Sequence, residues 1–212
     1  MQRLISQIGR SQRLAVVNLL KRSQGLTVRE LAQRLSMSYM GVKQHCLNLE
    51  RDGYLGTFRR HRGVGRPELL YHLTNKAQDL FPQADNVLSI SLLEQARKLY
   101  GASAAEKILF MHFQEKARAY ADKVQGATAS DRAKSLARLR DREGHMADFE
   151  LQPVPRIVER HHPMQALFAA FPEAAAMERE LFQRVLGVPI RREQRQAGGT
   201  YEYVFSLAAS GP

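Results

Sequence analysis

Residues 26–53 carry the start and end signals of two short consecutive helices, and no other part of the chain constrains the fold as strongly. Thr27 and Glu30 have the spacing of a capping box, in which the Thr27 hydroxyl accepts from the Glu30 amide and the Glu30 carboxylate accepts from the Thr27 amide. Ser38 is placed to cap a second helix, and Gly53 is placed to end it with a left-handed residue. Two helices joined by so short a turn form a helix-turn-helix.

The second of these helices is predicted to have one buried and one exposed face. Val42, Cys46 and Leu49 recur at helical spacing and are predicted to face the interior. The outer, N-terminal part then carries Ser38, Tyr39, Met40, Lys43 and Gln44. In helix-turn-helix proteins this part approaches the base edges in the major groove of DNA. There glutamine pairs with adenine, lysine with guanine, and apolar side chains contact the thymine methyl group.

Two strand-like runs and a basic loop follow the second helix. Residues 54–60 and 69–73 are predicted to pair as strands around the loop 61–67, which makes the motif a winged helix. Arginines on such a loop suit the minor groove or its flanking phosphates, and a helix N-terminus suits a phosphate. The residues predicted to contact DNA are Thr27, Arg29, Ser38, Tyr39, Met40, Lys43, Gln44, Arg59, Arg60, Arg62 and Arg66. The alternative for each is an ordinary solvent-exposed side chain.

The distribution of charge favours a polyanionic partner. Residues 1–82 hold 14 Lys and Arg against 5 Asp and Glu, whereas the remaining 130 residues hold 18 against 16. A solvated surface is normally mixed in sign, so a basic excess confined to one small module indicates phosphate binding. Winged helices also serve as docking modules. The alternative function is therefore a protein-interaction or architectural module without sequence-specific DNA recognition.

The composition of the whole chain is that of a globular protein. The sequence shows neither the apolar core of a secretory signal nor an apolar run of the roughly 20 residues that span a bilayer. The predicted location is the cytoplasm, with no membrane partner. Cys46 is the only cysteine, which excludes an internal disulfide. It is predicted to be a small core residue, with a redox switch as the alternative.

The predicted fold class is α+β and mainly helical, in three regions. Residues 1–82 form the winged helix-turn-helix, 83–144 a helical connector and 145–212 a small α+β domain. Helices 85–100 and 103–125 of the connector are the candidate dimerisation surfaces, although their apolar residues also fit an internal core. The stripe on the second of them consists of Leu109, Phe113, Ala117, Tyr120 and Val124. The elements predicted for the C-terminal domain are strands 146–151, 190–194 and 201–207 and helices 163–170 and 172–186.

Several segments resemble bacterial winged-helix repressors of the DeoR and ArsR type, and most closely the SufR-type regulators of iron–sulfur cluster assembly. These segments include Val64-Gly65-Arg66-Pro67, Tyr71-His72-Leu73-Thr74, Glu159-Arg160-His161-His162-Pro163-Met164 and Leu186-Gly187-Val188-Pro189. The resemblance implies a repressor-like role. In SufR-type members three cysteines of the C-terminal domain hold an iron–sulfur cluster. The matching positions here are His162, Ala175 and Tyr201, so cluster binding is not carried over.

The sequence predicts no catalytic site, no cofactor and no metal set. It contains no Gly-rich phosphate loop and no activated-nucleophile signature, so no enzyme is expected. His161 and His162 are adjacent, and neighbours on a strand point to opposite faces, so they cannot easily share one ion. Metal binding by His145, His161 or His162 is left open. The leading hypothesis is a homodimeric regulator of double-stranded DNA whose C-terminal domain senses an unknown small-molecule effector or a partner, with half-sites about one helical turn apart.

Overall fold

The computed structural model of the chain describes residues 12–61, 67–81, 86–197 and 200–208. The chain divides into two compact units. Unit 1 comprises the residues up to Phe81 together with Gln196–Tyr201, and unit 2 comprises Pro82–Arg195 with the residues from Glu202 onwards. The wing residues 62–66 and the glycine pair Gly198-Gly199, which was expected to form a hairpin turn, lie outside the described residues.

Unit 1 has the order of elements that the sequence predicts for a winged helix-turn-helix. The elements are α1 (Gln12–Lys21), α2 (Val28–Leu35), α3 (Tyr39–Arg51), β1 (Leu55–Arg60), β2 (Glu68–Leu73) and a 3₁₀ helix (Asn75–Leu80). Helix α1 packs against α3 and β2, and α2 packs against α3. Val42, Cys46 and Leu49 of α3 are buried, which confirms the predicted inner face.

The predicted helix caps are present in unit 1. The Glu30 amide donates to Thr27 Oγ1 at 3.2 Å, and the Thr27 amide donates to Glu30 Oε2 at 2.7 Å. The Gly41 amide donates to Ser38 Oγ at 3.1 Å, so Ser38 caps α3. Gly53 has a φ of +80°, which L side chains rarely adopt, and it lies just after the end of α3 as predicted.

Unit 2 combines a helical layer with a sheet of four strands. Its helices are α4 (Val87–Tyr100), α5 (Ala104–Ala121), α6 (Ala129–Arg140), α7 (Gln165–Ala170) and α8 (Ala174–Leu186), and α6 continues into a π-helical turn (Asp141–His145). Its sheet contains β3 (Ala147–Glu150), β4 (Arg156–Glu159) and the larger parts of β5 (Ile190–Ala197) and β6 (Thr200–Leu207), in the order β3-β4-β6-β5. The α+β, mainly helical fold class is therefore confirmed. Among the described residues, no helix has the length and apolar character needed to cross a membrane.

The apolar stripe of α5 belongs to the internal core, which is one of the two alternatives that the sequence left open for it. The stripe of α5 that begins at Leu109 and includes Phe113 and Tyr120 is buried in the core of unit 2. Helix α8 packs against α5, and α8 brings its own buried side chains, such as Leu181 and Phe182, to the same core. The stripe is therefore internal and is not a dimerisation surface.

Three boundaries also differ from the sequence-based expectation. Helix α5 ends at Ala121 rather than near residue 125, and β5 extends to Ala197. The sequence offers Asp85 or Asn86 as the cap of α4. Asn86 precedes α4 but makes no side-chain capping bond, and its Nδ2 donates to the Pro163 carbonyl at 3.0 Å. The sequence predicts that the next helix starts after Ser130, whereas α6 starts at Ala129 because Thr128 forms a capping box with Asp131.

Candidate nucleic-acid interface

A single β-bridge between Leu26 and Tyr71 places the first turn of α2 beside β2. The Leu26 amide donates to the Tyr71 carbonyl at 3.0 Å, and the Tyr71 amide donates to the Leu26 carbonyl at 2.8 Å. Helix α2 begins two residues after Leu26, so its N-terminus is held next to β2. The position of α2 in this module is thus fixed by backbone hydrogen bonds as well as by core packing.

A groove of about 480 Å³ forms where α2, α3 and β2 meet. It is lined by Thr27, Val28, Arg29, Tyr39, Lys43, Glu68, Leu69 and Tyr71. Four of the predicted DNA-contacting residues, on two helices, therefore share one concave surface. The sequence could not show that Glu68 lies in the same groove, because its proximity depends on the pairing of β2 with Leu26 through Tyr71.

The outer part of α3 is exposed as predicted. Tyr39 and Met40 are 50% and 68% exposed, and Ser38, Lys43 and Gln44 are exposed as well. The buried residues on the other side of α3 fix the rotation of the helix, so this face cannot turn inward. An exposed apolar pair beside a lysine and a glutamine offers the contacts that base edges accept in a major groove.

Gln44 and Ser38 differ in how far their polar groups are already used. Gln44 Nε2 donates to Asn48 Oδ1 at 3.3 Å, along the helix surface. Pairing with adenine requires both the amide oxygen and the amide nitrogen, so Gln44 must give up this bond to read a base. Ser38 Oγ accepts from the Gly41 amide, and its hydroxyl can still donate to a phosphate.

Of Thr27 and Arg29, the two predicted DNA contacts at the start of α2, Arg29 is the more suitable phosphate contact. Thr27 Oγ1 accepts from the Glu30 amide and lies 3.0 Å from Glu30 Oε2, so the hydroxyl both accepts and donates within the capping box. The Glu30 carboxylate also covers the Thr27 amide. The guanidinium of Arg29 is exposed at the same helix end.

The wing arginines are not equivalent. Arg59 is exposed on β1. Arg60 is half-buried, and its Nη2 lies 3.3 Å from Glu68 Oε2 and 3.9 Å from Glu30 Oε1, which offsets its charge. The predicted contacts Arg62 and Arg66 lie outside the described residues. Arg59 is consequently the described wing arginine best placed for a phosphate.

Cys46 is a core residue of α3. Its side chain is 0% exposed, and burial, together with the charge of Glu50, raises the pKa of the thiol to about 12. A thiol in this state is almost entirely protonated at neutral pH and is a poor nucleophile. The structure therefore supports the packing role over the redox switch.

The comparison with known proteins agrees with this geometry. A family model described as winged helix-turn-helix DNA-binding matches residues 10–55, which include all of α2 and α3. The chain carries a winged helix-turn-helix DNA-binding domain. This domain makes DNA the partner of unit 1 and supports a DNA-binding regulator. No curated protein and no solved structure matches the chain.

Unit 2 contains a buried group of charged side chains that the sequence did not predict. Arg140 Nε donates to Glu159 Oε1 at 2.6 Å, Nη2 donates to Glu159 Oε2 at 2.9 Å, and Nη2 also donates to Glu178 Oε1 at 2.7 Å. Burial alone raises the pKa of both carboxyl groups. The charge of Arg140, together with the contact of His145 with Glu159 and of His162 with Glu178, outweighs burial and holds both pKa values below the usual range, so both groups are ionised.

Arg192 and two histidines also contact this buried group, and Arg192 Nε donates to Glu178 Oε2 at 3.1 Å. His145 Nδ1 lies 3.0 Å from Glu159 Oε2, and His162 Nε2 lies 3.1 Å from Glu178 Oε1. Burial lowers the pKa of His145, although the charge of Glu159 opposes this shift. The positions 145, 159 and 162 follow no recognised ligand spacing, so the pattern along the chain did not bring Glu159 together with the two histidines. Helix α6 with its π-helical turn, the end of β4 and the segment before α7 bring the three residues together.

The residues at the positions that match the SufR-type cysteines do not fit an iron–sulfur cluster. Ala175 has no ligand atom, and Tyr201 and His162 offer no sulfur. Such clusters are held by cysteine thiolates, with histidine in place of some of them in certain centres.

Proposed function

We propose that the chain is a homodimeric, sequence-specific transcription regulator that binds a palindromic operator and represses transcription by occupying it. The observation that carries the proposal is the exposed outer face of α3, which adjoins the groove shared with α2 and β2. Helix α3 is the second helix of the motif, which is the one that enters the major groove in helix-turn-helix proteins. The likeness of the quoted segments to DeoR-, ArsR- and SufR-type repressors supports the direction of control.

The apolar face of α4 is the proposed dimer surface. Leu88, Leu92 and Leu99 are 68%, 61% and 72% exposed, and they lie along one side of the helix, whereas Leu93 on the other side is buried. Exposed apolar side chains arranged in a continuous row mark interaction sites. A symmetric pair of α4 helices covers both rows at once and supplies the two DNA-binding modules that a palindrome requires.

A cavity in unit 2 is the proposed effector site. Its volume is about 330 Å³, and most of its wall is apolar, with Leu92, Ile108 and Leu109 among the lining residues. Asn86 and His112 supply polar groups at the same cavity. This size and lining suit a small, mostly apolar molecule with one or two polar groups. Because Leu92 belongs to both the cavity and the proposed dimer surface, an effector there would alter dimerisation. Unit 2 is proposed to act as a sensor and not as an enzyme.

The test of DNA recognition is selection of duplexes from a random pool, followed by affinity measurements on the selected site and on a scrambled one. We expect Gln44→Ala to reduce the preference for one base pair, with a change of about 1–3 kcal/mol at that position only. Gln125→Ala, which changes an exposed glutamine of unit 2, is the matched control. If the unaltered chain selects no site, an architectural or protein-docking role replaces this proposal.

The test of the phosphate contacts is the salt dependence of binding. Arg59→Ala is expected to weaken binding to the selected and scrambled duplexes alike, and to reduce the slope of log K against log salt by about 1. Arg118→Ala removes an exposed arginine of α5 and is expected to leave the slope unchanged. Equal slopes for the Arg59→Ala variant and the unaltered chain would contradict a phosphate contact at Arg59.

The test of the dimer is sedimentation of the full chain at micromolar concentration. We expect Leu92→Glu to convert the dimer into a monomer, because two carboxylates would then be buried at the symmetric contact. The matched control is Leu151→Glu, because Leu151 is 59% exposed and lies on no proposed surface. This variant should remain a dimer. A monomeric unaltered chain would rule out the α4 surface.

A further inference from the structure

We propose that His145, Glu159 and His162 form a binding site for one divalent first-row transition-metal ion, of the Zn²⁺ or Fe²⁺ class. One nitrogen of each ring and one carboxylate oxygen lie within 4.8 Å of one another, and all three residues are buried. This inference concerns unit 2 alone and does not depend on the DNA-binding function.

The contacts of His162 suit a metal ligand. Its Nε2 lies 3.1 Å from Glu178 Oε1, close enough to donate a hydrogen bond to that carboxylate. The ring then carries its proton on Nε2, and Nδ1 has a lone pair. His162 Nδ1 is buried and has no hydrogen-bond partner. Metal-bound histidines almost always donate their other ring N–H to a carboxylate or carbonyl, and Glu178 supplies that second contact here.

The short distance between His145 and Glu159 is explained if both residues bind the same ion. His145 Nδ1 is only 3.0 Å from Glu159 Oε2, yet it is buried without a hydrogen-bond partner. Two ligands held at roughly 2.0–2.2 Å from the same zinc ion lie about 3.3–3.5 Å from each other, so a small adjustment brings both onto one ion. Glu159 Oε2 already accepts from Arg140 and has a second lone pair for the ion.

The donor set determines which ions the site selects. Two imidazole nitrogens and one carboxylate oxygen suit Zn²⁺, Fe²⁺, Co²⁺ or Ni²⁺, whereas Mg²⁺ and Ca²⁺ prefer an all-oxygen set. Arg140 offsets the charge of Glu159 and Glu178, which weakens the attraction for any cation. We therefore expect weaker binding than at a site of several thiolates. The three ligands come from the π-helical turn, β4 and the segment before α7, so a bound ion would join these elements.

The first experiment uses the untagged full chain after treatment with a chelator, titrated with Co²⁺ and then with Zn²⁺. We expect visible Co²⁺ absorption bands that saturate at one equivalent and disappear on addition of Zn²⁺. Zn²⁺ is also expected to raise the melting temperature by several degrees, and excess chelator should reverse this rise. No Co²⁺ bands and no thermal shift in the unaltered chain would overturn the proposal.

The second experiment locates the ion. His145→Gln and His162→Gln should each abolish the Co²⁺ bands, whereas His61→Gln, at an exposed histidine of unit 1, should retain them. In the unaltered chain, paramagnetic Co²⁺ should broaden the NMR signals around residues 145, 159 and 162, and this result does not depend on the folding of any variant. Broadening centred on other histidines, or bands retained in either His145→Gln or His162→Gln, would overturn the assignment.

Discussion

Replacement of Arg140 by methionine tests whether the buried charge network is held together by one cation. The side chains of Arg140, Glu159 and Glu178 are all at most 1% exposed. Methionine fills most of the space but donates no hydrogen bond, so Glu159 loses the guanidinium that pairs with it. Glu178 keeps Arg192, whose Nε donates to Glu178 Oε2 at 3.1 Å. Removal of one member of a buried ion pair costs about 3–5 kcal/mol, and we expect a loss in that range for the unfolding free energy of unit 2.

The assay is hydrogen exchange in increasing urea, resolved by peptide, because a chain with two compact units need not unfold in one step. Chelator in the buffer removes any contribution from a metal ion. Arg191→Met is the matched control, because Arg191 pairs with Glu193 while 80% exposed, and we expect it to leave the stability of unit 2 unchanged.

A triple variant separates charge from packing. Arg140→Met combined with Glu159→Leu and Glu178→Leu removes both buried carboxylates, and apolar replacements of buried ion pairs are often tolerated. Arg192 loses Glu178 in this variant, but it is 13% exposed and remains over the Tyr203 ring. We expect it to be more stable than Arg140→Met alone. If Arg140→Met costs no more than Arg191→Met, or if the triple variant is the less stable one, the reasoning from unpaired buried charge is refuted.

Three further predictions concern unit 1. Thr27→Ala should lower the unfolding free energy of unit 1 by about 1 kcal/mol because the helix loses its cap. Thr57→Ala, at an exposed residue of β1, should leave it unchanged, and equal urea midpoints for the two variants would contradict the capping argument. Leu49 is 2% exposed, and Leu49→Ala should lower the unfolding free energy of unit 1 by about 2–5 kcal/mol because it creates a cavity. Leu47 is 43% exposed, and Leu47→Ala should lower it far less. Similar losses for the two variants would contradict the assignment of the buried face of α3. Cys46 should react with a thiol reagent at pH 8 only after urea unfolds unit 1, because burial raises its pKa; rapid reaction of the folded chain would show that the thiol is accessible.

The winged helix was predictable because its signals are local. The capping box at Thr27, the cap at Ser38 and the glycine at position 53 each act within one helical turn, and all three are present in the structure. The buried face of α3 follows from helical periodicity alone. The predicted exposure of the DNA-facing side chains in the described residues follows from the same periodicity.

The surfaces of unit 2 were harder to predict from the sequence. A helical period shows which face of a helix is buried, but it does not show whether that face packs against the same chain or against a second copy. The stripe on α5 marked one buried face correctly, yet the same pattern fits an internal core and a dimer contact equally well. Helix α8 decides between them by covering the stripe. Helix α4 differs from α5 in this respect. Its row of leucines suggests a buried face, but these leucines are exposed in the described structure.

The sequence by itself determined the type of the DNA-binding module and the ends of its two motif helices, because caps, turns and helical periods depend on residues a few positions apart. Tertiary structure alone decided which apolar face is internal, and it placed His145, Glu159 and His162 around one point. Side chains from separate elements meet only after the chain has packed, and no spacing along the chain records that distance.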